Sequence, residues 1–171
     1  MRIGVLTAIM VSVALQLGSA ASAQQPAPPA PAPAAAPPEY GPAISNEQAK
    51  AVAGAAFAEA KKNNWRMALT IVGPAAELVY FERMDGAQLA STEISQAKAR
   101  TSVMFRRPSK AFADQYAAGN TSFTTFPEKP VASEGGVPIV VNGKIIGAIG
   151  VSGGTGQQDG LAAAAGAGAA K

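Results

Sequence analysis

The sequence predicts an α+β domain in which helices pack on an antiparallel sheet. Residues 67–84 and 137–151 each hold a pair of apolar, β-rich segments joined by a short turn, which is typical of a β-hairpin. Segments with the spacing of amphipathic helices lie before, between and after these hairpins. Because the strands come in hairpins and do not alternate with helices, this order predicts an antiparallel sheet.

The first helix is predicted over Asn46–Lys62. Ser45 and Gln48 form a capping box, in which each side chain accepts a hydrogen bond from the other residue's backbone amide. Apolar residues then recur at helical spacing, and Asn63–Asn64 end the helix. We expect its apolar face to pack on the sheet.

The two hairpins supply four predicted strands. The first hairpin joins Met67–Val72 to Leu78–Met84 through a Gly-Pro loop. The second joins Val137–Val141 to Lys144–Val151 through Asn142–Gly143, a dipeptide that favours the left-handed backbone of a tight hairpin turn.

The second helix is predicted over Leu89–Arg107, followed by a short helix over Ser109–Ala118 and a loop over 121–134. At 100° per residue, six mostly apolar side chains share one face of the second helix, and Lys98 lies at the edge of that stripe. We expect this face to be buried. Its members are Ala90, Ile94, Ala97, Thr101, Met104 and Phe105.

The first 42 residues differ in composition from the rest. Residues 1–23 have the positive, apolar and small-residue order of a cleavable signal peptide, with an apolar stretch shorter than the roughly 20 residues that span a bilayer. We expect cleavage before Gln24, export to the periplasm or the extracellular space, and no membrane span in the mature form. Residues 24–42 hold eight of the 13 prolines and are expected to form an extended, disordered tether.

The folded domain is expected over residues 43–161, with an Ala/Gly-rich tail over 162–171. A helix from Gly160 onward should be frayed, because Gly166 and Gly168 each cost about 1 kcal/mol relative to alanine.

The composition argues against several classes of function. The chain has 14 basic and 11 acidic residues, and removal of Arg2 with the signal leaves a net charge of +2, which does not indicate a nucleic-acid partner. With no cysteine and no histidine, disulfides, zinc sites and the usual transition-metal sites lack their preferred ligands. The acidic residues, Asp159 among them, are dispersed and expected on the solvated surface, so no metal site is predicted.

Residues 150–154, Gly-Val-Ser-Gly-Gly, match the pattern of a nucleophile elbow. A hydroxyl nucleophile of that class needs an imidazole base, which this chain does not contain. We therefore interpret these glycines as the end of a strand and predict no catalytic residue.

Short strings along the folded part carry a family resemblance. They are Arg83–Ala87, Lys98–Thr101, Phe105–Ser109, Gly135–Ile139, Gly147–Gly153 and Gln158–Asp159. In this order and spacing they resemble the GlcG/HbpS family, whose domain also forms the C-terminal part of PduO-type proteins. The resemblance covers about Ser45–Leu161.

This resemblance implies a three-layer α/β/α domain with a profilin-like, five-stranded antiparallel sheet that assembles into homo-oligomers. The fifth strand would then lie within Phe123–Val131 or near Gly136. Ser95, Ala99 and Val103 give the second helix a small-residue surface that would permit self-association.

Exported members of the family bind haem, so the expected function is non-enzymatic binding of haem or a related tetrapyrrole outside the cytoplasm. Without histidine, the iron would need an oxygen or sulfur ligand, and basic side chains would pair with the propionates. The candidate iron ligands are Tyr80, Met84, Thr101, Met104 and Tyr116, and the candidate propionate partners are Arg83, Lys98 and Arg106.

Two other functions stay open. The domain could have kept the fold as an oligomeric interaction module without a ligand. Relatives have also been linked to glycolate or corrinoid metabolism, which would make the protein an accessory or an enzyme of such a pathway.

Overall fold

A computed structural model describes residues 36–171. The expected signal peptide and most of the expected tether lie outside the described residues. Within 36–171, five strands form one sheet, and three of the four α-helices pack on it. The strands are β1 (Glu39–Tyr40), β2 (Ala68–Val72), β3 (Leu78–Arg83), β4 (Gly136–Val141) and β5 (Lys144–Ser152), and the helices are α1 (Asn46–Lys62), α2 (Ser91–Met104), α3 (Lys110–Ala117) and α4 (Gly156–Ala167).

The sheet is organised around β5. β4 pairs with one side of β5 and β2 with the other, both antiparallel, and β3 pairs antiparallel with β2. Both expected hairpins are therefore present, and Asn142 and Gly143 have φ values of 51° and 74°, as a tight hairpin turn requires.

The fifth strand is β1, and both expected positions for it are wrong. Glu39 and Tyr40 pair in parallel with Lys144 and Ile145, at the start of β5, where β2 does not reach. β1 belongs to the stretch that we expected to be a free tether. Its position could not be inferred from hairpin patterns because its partner is distant in sequence and its direction is parallel.

The helices pack on both faces of the sheet. α1 and α4 cover one face, where Val52, Leu69, Ile139 and Ile149 belong to the larger apolar core. α2 covers the other face, where Val72, Ala99, Val103, Ile145 and Ala148 form a smaller core. The result is the expected three-layer α/β/α arrangement. None of the helices in residues 36–171 has the length and apolarity of a membrane-spanning segment.

α1 begins and ends where the sequence predicts. The Oγ of Ser45 accepts a hydrogen bond from the backbone amide of Gln48 at 3.1 Å, and the Gln48 side chain accepts one from the Ser45 amide at 3.0 Å. The capping box is thus complete and satisfies two amides that the helix itself leaves free.

α2 buries a different face from the one we expected. Its buried residues are small or polar, whereas Met104 is 40% exposed and Ala90 is exposed. The expected self-association surface is also wrong, because its three residues pack on the sheet of their own chain. The buried residues of α2 are Ser91, Ser95, Lys98, Ala99, Thr101, Ser102 and Val103.

α4 is an ordered element and not a frayed tail. Thr155 and Gln158 form a second capping box, and Ala162, Ala163 and Gly166 are buried against α1 and the sheet. The helix continues across residue 161, where we expected the domain to end. Close packing of small residues outweighs the glycine penalty, since tertiary contacts decide helix stability more than propensity does.

Candidate functional site

The structure divides the eight candidate residues among three locations. Tyr80, Arg83 and Met84 lie along β3 and at its end, and Thr101, Met104 and Arg106 lie in or just after the last turn of α2. Lys98 is interior. Tyr116, on α3, has a 59% exposed side chain.

Tyr40 lies beside the end of α2, although its sequence position gave no indication of a site. Its hydroxyl donates a hydrogen bond to the carbonyl oxygen of Val103 at 2.8 Å and lies 3.3 Å from that of Met104. The Val103 carbonyl also accepts a hydrogen bond from the Arg106 amide at 3.3 Å, so the phenol adds a second, shorter bond at the turn that ends α2. The only signal in the sequence was a lone aromatic residue after a proline-rich stretch.

Arg106 follows α2 and lies over Tyr40. Its guanidinium carbon is 5.8 Å from the centroid of the Tyr40 ring, a distance at which a cation is attracted to an aromatic face. Its φ of 51° is left-handed, which turns the chain sharply after the helix. The neighbouring Arg107 lies over the ring of Phe112 at the same distance.

Aromatic rings from three segments meet at this end of α2. Phe105 stacks on Phe126 with ring centroids 6.1 Å apart and meets Phe112 edge-on at 5.0 Å. Phe126 is 42% exposed and Tyr40 44% exposed. We call the patch formed by Tyr40, Met104, Phe105, Arg106 and Phe126 the α2-end surface. Its members bring a thioether, aromatic rings and a guanidinium to the end of α2.

A second group of candidates lines a cleft at the end of β3. The cleft has a volume of about 400 Å³ and is lined by basic and acidic side chains together with Met84. Arg83 there donates a hydrogen bond to the carbonyl of Ala87 at 3.2 Å. The lining residues are Lys61, Arg66, Glu82, Arg83, Met84 and Asp85.

Tyr80 and Thr101 are engaged by their own chain. The hydroxyl of Tyr80 donates a hydrogen bond to Glu82, and this bond is the main reason why the pKa of Tyr80 is raised above its ordinary value. The hydroxyl of Thr101 is buried and accepts a hydrogen bond from the amide of Val131 at 2.9 Å. Neither oxygen is free to bind iron in this arrangement.

Lys98 forms a buried ion pair, so its expected position at the edge of the apolar stripe is wrong. Its ammonium lies 2.7 Å from Oδ2 of Asp159 and donates a second hydrogen bond to the carbonyl of Val151 at 3.1 Å. The other carboxylate oxygen of Asp159 accepts from the amide of Gly154 at 2.9 Å. Burial raises the pKa of Asp159, while Lys98 and the backbone amides act in the opposite direction.

Asp159 was expected on the solvated surface and is instead 3% exposed. Lys98 lies on the sheet-facing side of α2, so its partner comes from the first turn of α4, far along the sequence. Ser152, the serine of the elbow-like string, is buried too, and its hydroxyl bonds to that of Ser91 at 3.2 Å.

These features define a three-layer α/β/α domain with an exposed apolar and basic surface at one end of α2. The family described as "Haem degrading protein HbpS-like" matches residues 44–168, and the chain belongs to this HbpS-like family. The fold class and the resemblance to GlcG and HbpS are thereby confirmed.

Individual relatives agree with this assignment. Protein GlcG of Escherichia coli (strain K12) is 42% identical over 109 residues, which cover 64% of this chain and 81% of GlcG. The crystal structure of a PduOC:heme complex superposes with a TM-score of 0.68 at 26% identity, covering 74% of this chain and 94% of that one. A double mutant of Streptomyces reticuli HbpS gives a TM-score of 0.68 at 29% identity, covering 82% and 97%.

Proposed function

We propose that this protein binds haem or a related tetrapyrrole reversibly, and that the α2-end surface is where it does so. The observation that carries the proposal is that Met104, which is 40% exposed, ends α2 where Phe105 stacks on the exposed Phe126 and Arg106 lies over the exposed ring of Tyr40. Membership of the HbpS-like family and likeness to a haem complex of PduOC support it.

The residues of this surface fit the chemistry of the group. Aromatic faces suit a flat macrocycle, and guanidinium groups pair well with carboxylates such as propionates. Methionine is an established iron ligand that favours the reduced metal. Met104 is 40% exposed and, unlike the more exposed Tyr116 on α3, it directly precedes Phe105 and Arg106 at the end of α2. Bound haem would supply a redox-active iron, and Met104, Phe126 and Arg106 would bind and orient it.

We propose further that the protein acts by binding and not by chemical turnover. The description of the family includes haem degradation, so this is a specific claim about the present chain. It is supported by the absence of histidine and cysteine from the sequence and by the burial of Ser152 within the sheet. We also infer that the protein is exported, because residues 1–23 have the charged, apolar and small-residue segments of a signal peptide in the usual order. We infer self-association from the family resemblance.

A haemin titration followed by Soret absorbance tests the proposal. The parent should bind, and Arg106→Asn should weaken binding about tenfold, since a charge-assisted contact at a partly exposed site is lost. Asparagine is chosen because it tolerates the left-handed backbone at this position. Met104→Leu should retain most of the affinity but alter the spectrum of the reduced complex, because it removes only the sulfur.

Arg83→Asn, in the cleft at the end of β3, is the matched control and should bind as the parent does. Stronger weakening by Arg83→Asn than by Arg106→Asn would assign the ligand to that cleft. No Soret shift in the parent would overturn haem binding and favour an interaction module. If the Soret band is lost over time in the presence of a reductant and does not recover on reoxidation, the proposal that the protein binds haem without turning it over is contradicted.

A further inference from the structure

The outward side of α2 is an unpartnered helix face with a regular pattern. We call Ala90, Glu93, Ala97, Arg100 and Met104 the outer face of α2; they recur every three or four residues and lie opposite the residues that pack on the sheet. Four of the five are exposed and Ala97 is half-buried.

Large apolar side chains stand at both ends of this face. Leu89, just before the helix, is 79% exposed, and Met104, in its last turn, is 40% exposed. Leu89 is the most exposed of the large hydrophobic residues within 36–171. Covering such side chains is favourable by about 25 cal/mol for each Å² of apolar surface removed from water.

The two charged residues of the outer face, Glu93 and Arg100, lie on opposite sides of its central residue, Ala97. Glu93 makes no ion pair among the described residues. Arg100 makes an exposed contact of 3.6 Å with Glu128 and donates to the carbonyl of Ala76 at 3.2 Å. An exposed ion pair of this kind is worth little, so Arg100 can exchange it for another carboxylate.

These features are self-complementary about Ala97. With a rise of 1.5 Å per residue, Glu93 lies about 6 Å from Ala97 along the axis and Arg100 about 4.5 Å on the other side. Leu89 and Met104 lie about 12 Å and 10.5 Å away in the same sense. A second α2 placed antiparallel across a two-fold axis at Ala97 therefore brings each glutamate beside the opposing arginine and each leucine beside the opposing methionine.

We propose that the outer face of α2 is the interface with a second copy of this chain, formed across a two-fold axis at Ala97. The proposal rests on the self-association proposed above and names its surface. The small side chain of Ala97 at the crossing permits the 8–10 Å axis separation of packed helices. Because Met104 belongs to both, the α2-end surface borders this interface, and Leu89 of the partner subunit would share Met104 with a bound tetrapyrrole as part of its apolar surroundings.

Because the chain has no cysteine, a single introduced cysteine can test this interface by disulfide cross-linking. Ala97→Cys gives the protein a single thiol, which would face its own copy at the two-fold axis and form a covalent dimer on mild oxidation. Ala164→Cys is the matched control, because Ala164 is an exposed alanine on another helix, α4. Non-reducing electrophoresis should show rapid dimer formation for Ala97→Cys only.

Charge-reversal variants test the same interface through the molar mass of the oligomer. In light scattering on the protein purified from its producing cells, Glu93→Arg and Arg100→Glu should each weaken association about tenfold, because each places like charges together twice per dimer. The combined exchange should restore the parent mass. Lys50→Glu, on the exposed side of α1, should change nothing.

The outcomes separate the two proposals. A parent that stays monomeric at high micromolar concentration overturns both self-association and this interface. The parent could instead form oligomers whose mass is unchanged by either single charge reversal, or its Ala97→Cys variant could cross-link no faster than the control. Either result would leave self-association standing and overturn the α2 interface. Failure of the combined exchange to restore the mass also overturns it.

Discussion

The pairing of Lys98 with Asp159 ties together segments that are far apart in the sequence. The ammonium of Lys98 reaches from α2 to the first turn of α4 and to the end of β5, and both charged groups are almost wholly buried. Gly135 approaches so closely that a Cβ there would lie 2.9 Å from the ammonium nitrogen. The lysine thus fixes where α4 begins relative to the sheet and cannot reach a ligand at the surface.

Removal of one partner should be costly. Lys98→Met keeps the length of the side chain but leaves the Asp159 carboxylate buried without its cation, and we expect the free energy of unfolding to fall by about 3–5 kcal/mol. The combination of Lys98→Met with Asp159→Asn removes both charges and should recover most of that loss. Urea unfolding followed by circular dichroism measures both; equal destabilisation by the single and combined variants would show that the charge itself is not the cause.

At the scale of elements, α2 shows why a helix can bury its less hydrophobic side. β4 and β5 present glycines to it, and a Cβ at Gly150 would lie 2.0 Å from the carbonyl oxygen of Ser95. A Cβ at Gly136 would lie 2.3 Å from that of Lys98. The backbone of α2 therefore lies directly on the sheet at these two glycines, where the small side chains of Ser95, Ala99 and Ser102 face the strands.

This close contact predicts opposite effects for two glycine-to-alanine substitutions. Gly150→Ala places a methyl group against the backbone of α2 and should lower the free energy of unfolding by about 1–3 kcal/mol, as overpacking does. Gly54→Ala lies on the exposed side of α1 with no atom within 4 Å, and should raise it by about 0.5–1 kcal/mol. Thermal unfolding of the two variants beside the parent checks the pair, and a neutral Gly150→Ala would contradict the close contact.

The elements that sequence patterns predicted correctly are those governed by local chemistry. The capping box at Ser45, the Asn142–Gly143 turn and the apolar spacing of α1 each act within a few residues, so they can be inferred without the fold. The buried face of α2 and the partner of Lys98 depend on what lies opposite, across the sheet. Of the α2-end surface, Met104 and Arg106 were among the predicted candidates, whereas Tyr40 and Phe126 reach it only through tertiary structure.

At the scale of the whole molecule, β1 joins a segment outside the family match to the domain. The match begins at residue 44, whereas Tyr40 completes the end of α2 and pairs with β5. The amides of Gly41 and Ile44 continue this attachment with hydrogen bonds of 2.8 Å to the carbonyls of Ile145 and Ile146. The described fold therefore extends several residues beyond the family domain.

The contribution of Tyr40 can be measured through its hydroxyl. Tyr40→Phe keeps the ring beneath Arg106 but removes the donor to the Val103 carbonyl, and should lower the free energy of unfolding by about 0.5–1.5 kcal/mol. Tyr116→Phe is the control, since the Tyr116 hydroxyl makes no hydrogen bond within residues 36–171. Urea unfolding should separate the two, and equal stability would show that water replaces the phenol without loss.

The attachment of β1 determines which contacts would break first if the chain were pulled from its N-terminal side. Tension applied to the chain upstream would load this two-residue strand and the Tyr40 phenol first, and the apolar cores only after Ile44, which is buried, had been pulled free. Each residue detached from the sheet adds up to roughly 3.3–3.6 Å of extended chain. We therefore expect residues 39–41 to detach under load before the apolar cores open.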